Sequence, residues 1–207
     1  MDDFIEFNDL DLTGSVLKSV EDLGFTHLTP IQAQILPHTL AGQDAIGQAQ
    51  TGTGKTATFL ITIIEALLKR PFQADEKRYL GEPRALILAP TRELANQIFE
   101  DAIALTKHTQ LHSVCVMGGV DYEQQTAALD QGFTDILIAT PGRLIDLIHR
   151  GHVFLDRIEA FVLDEADRML DMGFIPDIKR LMRYMPANTD RQSLLFSATF
   201  NQDVMNL

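Results

Sequence analysis

The stretch Ala49-Gln50-Thr51-Gly52-Thr53-Gly54-Lys55-Thr56 brings together the residue types that hold a chain of phosphates. Gly52 and Gly54 let the backbone turn its N–H groups around a phosphate, Lys55 can reach the terminal phosphates, and the Thr56 hydroxyl can coordinate Mg²⁺. A strict phosphate-binding loop has Gly where this chain has Ala49, so the match is incomplete at its first residue. Far along the chain, Asp164-Glu165-Ala166-Asp167 offers the carboxylates that such a loop lacks. Asp164 can hold Mg²⁺ through water, and Glu165 can position or deprotonate an attacking water, the two jobs that phosphoanhydride hydrolysis requires. Standing alone, the tetrad also reads as a solvated acidic turn.

Residues so distant in sequence must be gathered by the fold. Short apolar runs at 45–46, 85–89, 114–117, 136–139, 161–163 and 194–196 read as parallel strands buried on both faces. Stretches with helical spacing lie between them at 57–69, 93–106, 122–131, 144–150 and 175–185. The alternation predicts an α/β fold, a mainly parallel sheet sandwiched between helices, with chemistry at the carboxyl ends of the strands. The phosphate loop then sits between a strand and an apolar helix, the context it needs. Residues 1–42 carry a helical pattern (Leu12, Val16, Leu17, Val20, Leu23) and are expected to pack as a lobe against the sheet edge of a 43–207 core. The polar connection 70–83 reads as a surface loop.

Composition narrows the function classes. The 207 residues suit one large domain, and 45% hydrophobic with 22% charged residues excludes a disordered chain. Seventeen Lys and Arg against 29 Asp and Glu, net −12, argue against a broad basic nucleic-acid surface while leaving room for a local strip of phosphate contacts. The single Cys115 lies in an apolar run and reads as a buried thiol in a reducing compartment. The acidic start lacks the look of a targeting peptide, and no apolar run approaches the roughly 18 residues of a membrane span, so a cytoplasmic, membrane-free location is expected. The six histidines have no metal-site spacing.

The tetrad spells D-E-A-D, and together with A-Q-T-G-T-G-K-T it resembles the DEAD-box ATP-dependent RNA helicases. Further stretches match that family in order: Pro90-Thr91-Arg92-Glu93-Leu94-Ala95, Gly118-Gly119, Thr140-Pro141-Gly142-Arg143 and Ser197-Ala198-Thr199. Upstream, Gly24-Phe25 and Thr29-Pro30-Ile31-Gln32 look like its adenine-sensing segment, with Phe7 as the isolated aromatic. The resemblance runs from about Phe7 to Thr199, and the wording at 77–83 and 167–174 is similar to the bacterial RhlB and RhlE subgroups.

The resemblance implies a RecA-like domain that takes ATP and Mg²⁺. It places adenine on Phe7, Phe25, Thr29 and Gln32, and the phosphates on Gln50, Thr51, Gly52, Thr53, Gly54, Lys55 and Thr56, with Asp167 also at the nucleotide. Gln32 is suited to a bidentate contact with adenine by its paired donor and acceptor; outside the family context it reads as a polar residue at a helix start. Metal ligation falls to Thr56 and Asp164, and the catalytic set is Lys55, Asp164, Glu165, Ser197 and Thr199. Ser197 and Thr199 are assigned to coupling, although by themselves they are only a polar strand end. RNA is expected on Pro90, Thr91, Arg92, Gly118, Gly119, Thr140, Pro141, Gly142 and Arg143, through backbone contacts that are blind to sequence. Thr140-Pro141-Gly142-Arg143 on its own is also an ordinary turn into a helix.

The implied partners are RNA, a second RecA-like domain and RNA-processing or degradation proteins. With the chain ending at Leu207, the expectation is one N-terminal RecA-like domain without its second, able to bind nucleotide but nearly inactive. The alternatives are another P-loop NTPase and a non-catalytic nucleotide-binding module.

Overall fold

Each apolar run becomes a strand in the computed structural model, which describes residues 5–73 and 75–207. Residues 1–4 of the acidic start and position 74 of the 70–83 connection lie outside the described residues. The strands are β1 (Ala45–Gln48), β2 (Ala85–Leu88), β3 (Ser113–Val116), β4 (Ile136–Ala139), β5 (Ala160–Leu163) and β6 (Gln192–Ser197). They form one sheet in the order β1-β6-β5-β2-β4-β3, and every neighbouring pair is parallel. Parallel neighbours require a crossover between them. The helices are α1 (Gly14–Asp22), α2 (Pro30–Thr39), α3 (Lys55–Lys69), α4 (Arg92–Thr106), α5 (Tyr122–Asp130), α6 (Pro141–His149), α7 (Ala166–Asp171), α8 (Ile175–Met182) and α9 (Gln202–Met205).

Local chemistry sets several of these boundaries. Thr91 caps α4 by accepting from the Leu94 N–H, and Asp121 caps α5 by accepting from the Gln124 N–H. Pro30 and Pro141 stand in the first turn of α2 and α6, where the missing N–H costs nothing. The period of two in the strands divides the core: Ala85 and Ile87 of β2 join one apolar layer with α1, α3 and α4, while Leu86 and Leu88 join the other with α6, α7 and α8.

Two expectations need correction. β1 is not buried on both faces, because it is an edge strand, paired among the described residues with β6 alone, and Ile46 is 59% exposed. The helix α7 was not foreseen; at six residues it is too short to show a period. The N-terminal segment divides its contacts: α2 lies against α3 and the edge strand β1, whereas α1 rests on α3 and α4. Within the 70–83 connection Arg78 is anchored, its guanidinium 4.4 Å from the Phe72 ring centre and 4.7 Å from that of Phe133 while pairing with Asp135 at 2.8 Å.

Gly47 in β1 answers to close packing. A Cβ there would stand 2.6 Å from the Phe196 ring and 2.9 Å from Ile35 Cδ1. Gly47→Ala is therefore expected to destabilise the chain by about 1–3 kcal/mol through overpacking. A thermal melt should show a midpoint lower by about 2–4 °C per kcal/mol; an unchanged midpoint would mean the ring gives way freely.

Candidate nucleotide site

The residues with chemistry collect at the carboxyl ends of β1, β6 and β5. β1 ends at Gln48, the loop 49–54 follows, and α3 starts at Lys55 with its N-terminus, the positive end of the helix dipole, at the loop. Gln50, Thr51 and Gly52 are exposed, while Lys55 is buried. Lys55 Nζ lies 2.8 Å from Asp164 Oδ1 and 3.8 Å from Glu165 Oε1. The strand that intervenes is tied in as well, since the Ala49 N–H donates to the Ser197 carbonyl.

Asp164 is fully buried. Burial pushes its carboxyl up from the usual carboxylate range, and the adjacent Lys55 ammonium pulls the other way without cancelling the rise. Asp164 Oδ2 has no hydrogen-bond partner among the described residues. An orphaned, buried carboxylate oxygen on a residue paired with Lys55, which Thr56 follows in the chain, belongs to a donor set that fits a hard divalent cation.

Glu165 adopts φ +53° and ψ +53°, the one non-glycine residue with positive φ among the described residues. That conformation costs on the order of 1 kcal/mol. It starts α7 and leaves the carboxylate between two cations, Lys55 and Arg168, the latter 3.4 Å from Oε2.

Asp167 is bound to the Ser-Ala-Thr segment. Its carboxylate accepts from the Thr199 N–H at 3.2 Å and hydroxyl at 3.1 Å, its N–H donates to Ser197 Oγ, and Ser197 Oγ donates to the Thr199 carbonyl. Burial alone would raise the Asp167 carboxyl, but the hydrogen bonds from Thr199 and Ser197 outweigh it and hold it below its ordinary value. Gln48 also reaches this segment, donating from Nε2 to the Ala198 carbonyl at 3.2 Å. Nothing in the sequence singled out Gln48.

The residues assigned to adenine form two groups. Phe7 is buried and its ring stacks on Phe25 at 6.2 Å, so the 42%-exposed Phe25 presents the outer aromatic surface. A cleft of about 680 Å³ beside the pair is lined by Phe7, Lys18, Phe25 and His27, among others, and its lining does not include Gln32. Gln32 instead joins the phosphate loop: Oε1 accepts from the Thr29 N–H, and Nε2 donates to the Gly54 carbonyl at 3.1 Å. Thr29 Oγ1 donates to the Thr53 carbonyl at 2.8 Å. At Gly54, with φ +86°, a Cβ would meet Gln32 Nε2 at 2.6 Å, so this contact and the left-handed turn both demand glycine.

The residues assigned to RNA lie at the ends of β2, β3 and β4. Arg92 is exposed and its guanidinium lies against Gly119. Gly118 N–H donates to Thr140 Oγ1 at 3.3 Å, and Arg143 Nη1 donates to the Val120 carbonyl at 3.1 Å. Pro90, Thr140 and Pro141 are buried and shape this edge, whereas Arg92, Gly119 and Gly142 face solvent. Sequence reasoning missed Gln125, a buried residue of α5 whose amide holds the 117–121 turn by bonds to the Met117 N–H and to the Met117 and Val120 carbonyls.

A parallel sheet with a glycine-rich loop entering a helix, and acidic residues two strands away, defines a P-loop nucleotide-binding domain of the RecA-like type. Residues 29–207 match the family model described as DEAD/DEAH box helicase, and the chain belongs to that family. Proteins called ATP-dependent RNA helicase RhlB from Pseudomonas aeruginosa and Pseudomonas putida are 59% and 58% identical over 201 residues, covering 97% of this chain and 50% of each relative. A protein of the same description from Xanthomonas oryzae is 52% identical over 204 residues, 98% of this chain and 35% of that protein. The crystal structure of a DEAD box protein from the hyperthermophile Methanococcus jannaschii superposes with TM-score 0.86 at 35% identity, covering 98% of this chain and 52% of the other. The chain thus spans about half the length of the Pseudomonas relatives. Among the described residues no helix is long and apolar enough to cross a membrane.

Proposed function

We propose that the chain is the N-terminal, ATP-binding RecA-like domain of an RNA helicase that couples ATP binding and hydrolysis to local unwinding of RNA, with 1–42 as its adenine-sensing lobe. The observation that supports this best is the convergence of Lys55, Asp164 and Glu165 at one end of the sheet, with Gln32 bonded to the same loop. Thr56 and Asp164 would hold Mg²⁺, which when bound neutralises charge on the phosphate oxygens. Lys55 leaves Asp164 to donate to a terminal phosphate oxygen. Glu165 orients the attacking water and accepts its proton on the carboxylate. Gln32 exchanges its bond with the Gly54 carbonyl for the adenine edge, so base recognition and loop position change together.

Asp167, Ser197 and Thr199 carry that change toward the other domain and the RNA. RNA runs along 90–92, 118–119 and 140–143, held by its backbone. A second RecA-like domain would complete the site with a charge-stabilising arginine, worth about 10³–10⁵ in rate for related NTPases, so this chain alone turns over slowly. The same reading places the protein in the cytoplasm, with RNA-processing or degradation proteins as partners.

Calorimetric titration with ADP and GDP in Mg²⁺ tests the proposal. ADP is expected to bind and GDP to bind at least about tenfold more weakly, with the difference lost in Gln32→Ala, since each hydrogen bond to an uncharged base is worth about 0.5–1.5 kcal/mol. Equal binding of both nucleotides, untouched by the substitution, would reduce the chain to a generic P-loop domain.

A further inference from the structure

One face of this acidic chain has the opposite charge. Helices α6 and α8, which pack on each other, with the residue after α6 and the two after α8, carry Arg143, Arg150, Lys179, Arg180 and Arg183 against only Asp146 and Asp177, in a chain whose net charge is −12. Local excess of one sign on an otherwise repelling surface is the electrostatic footprint of a polyanion track.

The face is continuous with the strip assigned to RNA. Arg143, bonded to the Val120 carbonyl beside Gly119, has its guanidinium 5.5 Å from the Tyr122 ring centre, and Arg150 lies 4.8 Å from the same ring. The two arginines are seven residues apart, two turns along one helix side, about 10 Å of travel. Next to Arg150, His149 accepts from Arg180 Nη2 at 2.7 Å, which leads onto α8 and to Arg183. There a cleft of about 480 Å³ is lined by Phe154, Tyr184, Arg183 and Asp156, among others. Phe154 is 45% and Tyr184 38% exposed. Cations interleaved with open aromatic rings are the surface on which single-stranded nucleic acid rests its phosphates and stacks its bases. Of the carboxylates nearby, Asp146 is bound to Arg150 at 3.0 Å, and Asp156 marks the limit of the cationic run.

We infer that a single RNA strand leaving the strip at Gly119 and Arg143 continues down the outer face of α6 and α8, its phosphates on Arg150, Arg180 and Arg183 and its bases against Phe154 and Tyr184. The inference rests on the RNA reading proposed above and lengthens the track beyond it.

Binding of oligouridylates of about 6 and about 18 nucleotides to the 207-residue chain, measured across a salt series, tests it. The longer RNA is expected to bind at least about tenfold more tightly, and the triple variant Arg150→Gln/Arg180→Gln/Arg183→Gln to lose that advantage while keeping ADP binding and the affinity for the short RNA. Three lost phosphate contacts should also flatten the plot of log affinity against log salt for the longer RNA by about 2. Equal affinity for both lengths, or an advantage that survives the triple variant, overturns the extended track and leaves the strip standing. Binding of neither length overturns both. Polyglutamate binding that the triple variant abolishes, with RNA binding unchanged, would assign the face to an acidic protein and overturn the inference.

Discussion

Lys55→Ala is expected to abolish measurable binding of Mg-ADP in calorimetry and to lower the stability of the chain by about 3 kcal/mol at neutral pH. The first effect follows from the role proposed for Lys55 as the charged donor to the phosphates. The second follows from Asp164, which is fully buried and has Lys55 as its paired cation at 2.8 Å. Removing one partner of a buried pair commonly costs about 3–5 kcal/mol, and uptake of a proton by the stranded carboxyl limits the loss here to the lower end.

That proton gives the prediction a pH signature. The folded-state value of Asp164 already lies above its ordinary one because of burial, and without the Lys55 ammonium it rises further. A carboxyl raised on folding binds more protons in the folded state, so its contribution is most favourable below the unfolded value, near 4, and is lost as pH climbs through the folded value. The gap between the parent and Lys55→Ala should therefore be widest near pH 7 and narrow toward pH 4, read as denaturant midpoints at each pH. The double variant Lys55→Met/Asp164→Asn should regain most of the stability and none of the binding. A gap that does not change with pH would show that Asp164 does not carry the loss.

Arg84→Ala separates stability from the site. Arg84 is 3% exposed at the start of β2, with Nε 2.7 Å from Glu159 Oε1, Nη2 on the other oxygen at 3.2 Å, and further bonds to the Leu67 and Arg70 carbonyls. Its guanidinium also lies 4.9 Å from the Phe72 ring centre. Glu159 is 28% exposed on its side chain and can turn to water, so the main cost falls on the two carbonyls and the lost packing. A destabilisation of about 3 kcal/mol is expected, with Arg84→Lys recovering only part, because an ammonium cannot present a planar fork to a carboxylate. Mg-ADP affinity at a temperature where the variant is folded should be unchanged, since these contacts lie at the amino end of β2. Weakened nucleotide binding would show that the two ends of the sheet are coupled.

What could be read in advance was what repeats or what chemistry restricts. The apolar runs marked all six strands, and the phosphate loop with Asp164 and Glu165 marked the end of the sheet where they meet. Lateral strand order leaves no trace in a local pattern, so the exposure of Ile46 on an edge strand was hidden. Side-chain pairing between distant segments was equally silent: Arg84 with Glu159, or Gln48 with Ala198, joins residues whose types suit any surface. Gln32 shows a subtler limit. The resemblance to the helicases pointed it to adenine, where its own pattern read only as a helix start, and both ends of its amide are occupied by Thr29 and Gly54, because a group able to bond a base is equally able to bond a backbone.

The pairing of β1 with β6 bears on how the chain is born. Gln48 and its partner Ala198 are 150 residues apart, and among the described residues β1 has no other strand beside it. At a synthesis rate of about 5–20 residues per second, the strand that carries the phosphate loop waits roughly 7–30 s on the ribosome before its neighbour exists. With every pair parallel, no hairpin can seed the sheet meanwhile. The loop and the Ser-Ala-Thr segment thus take shape in one late step, and a nascent chain lacks the proposed nucleotide site until nearly all of this sequence has emerged.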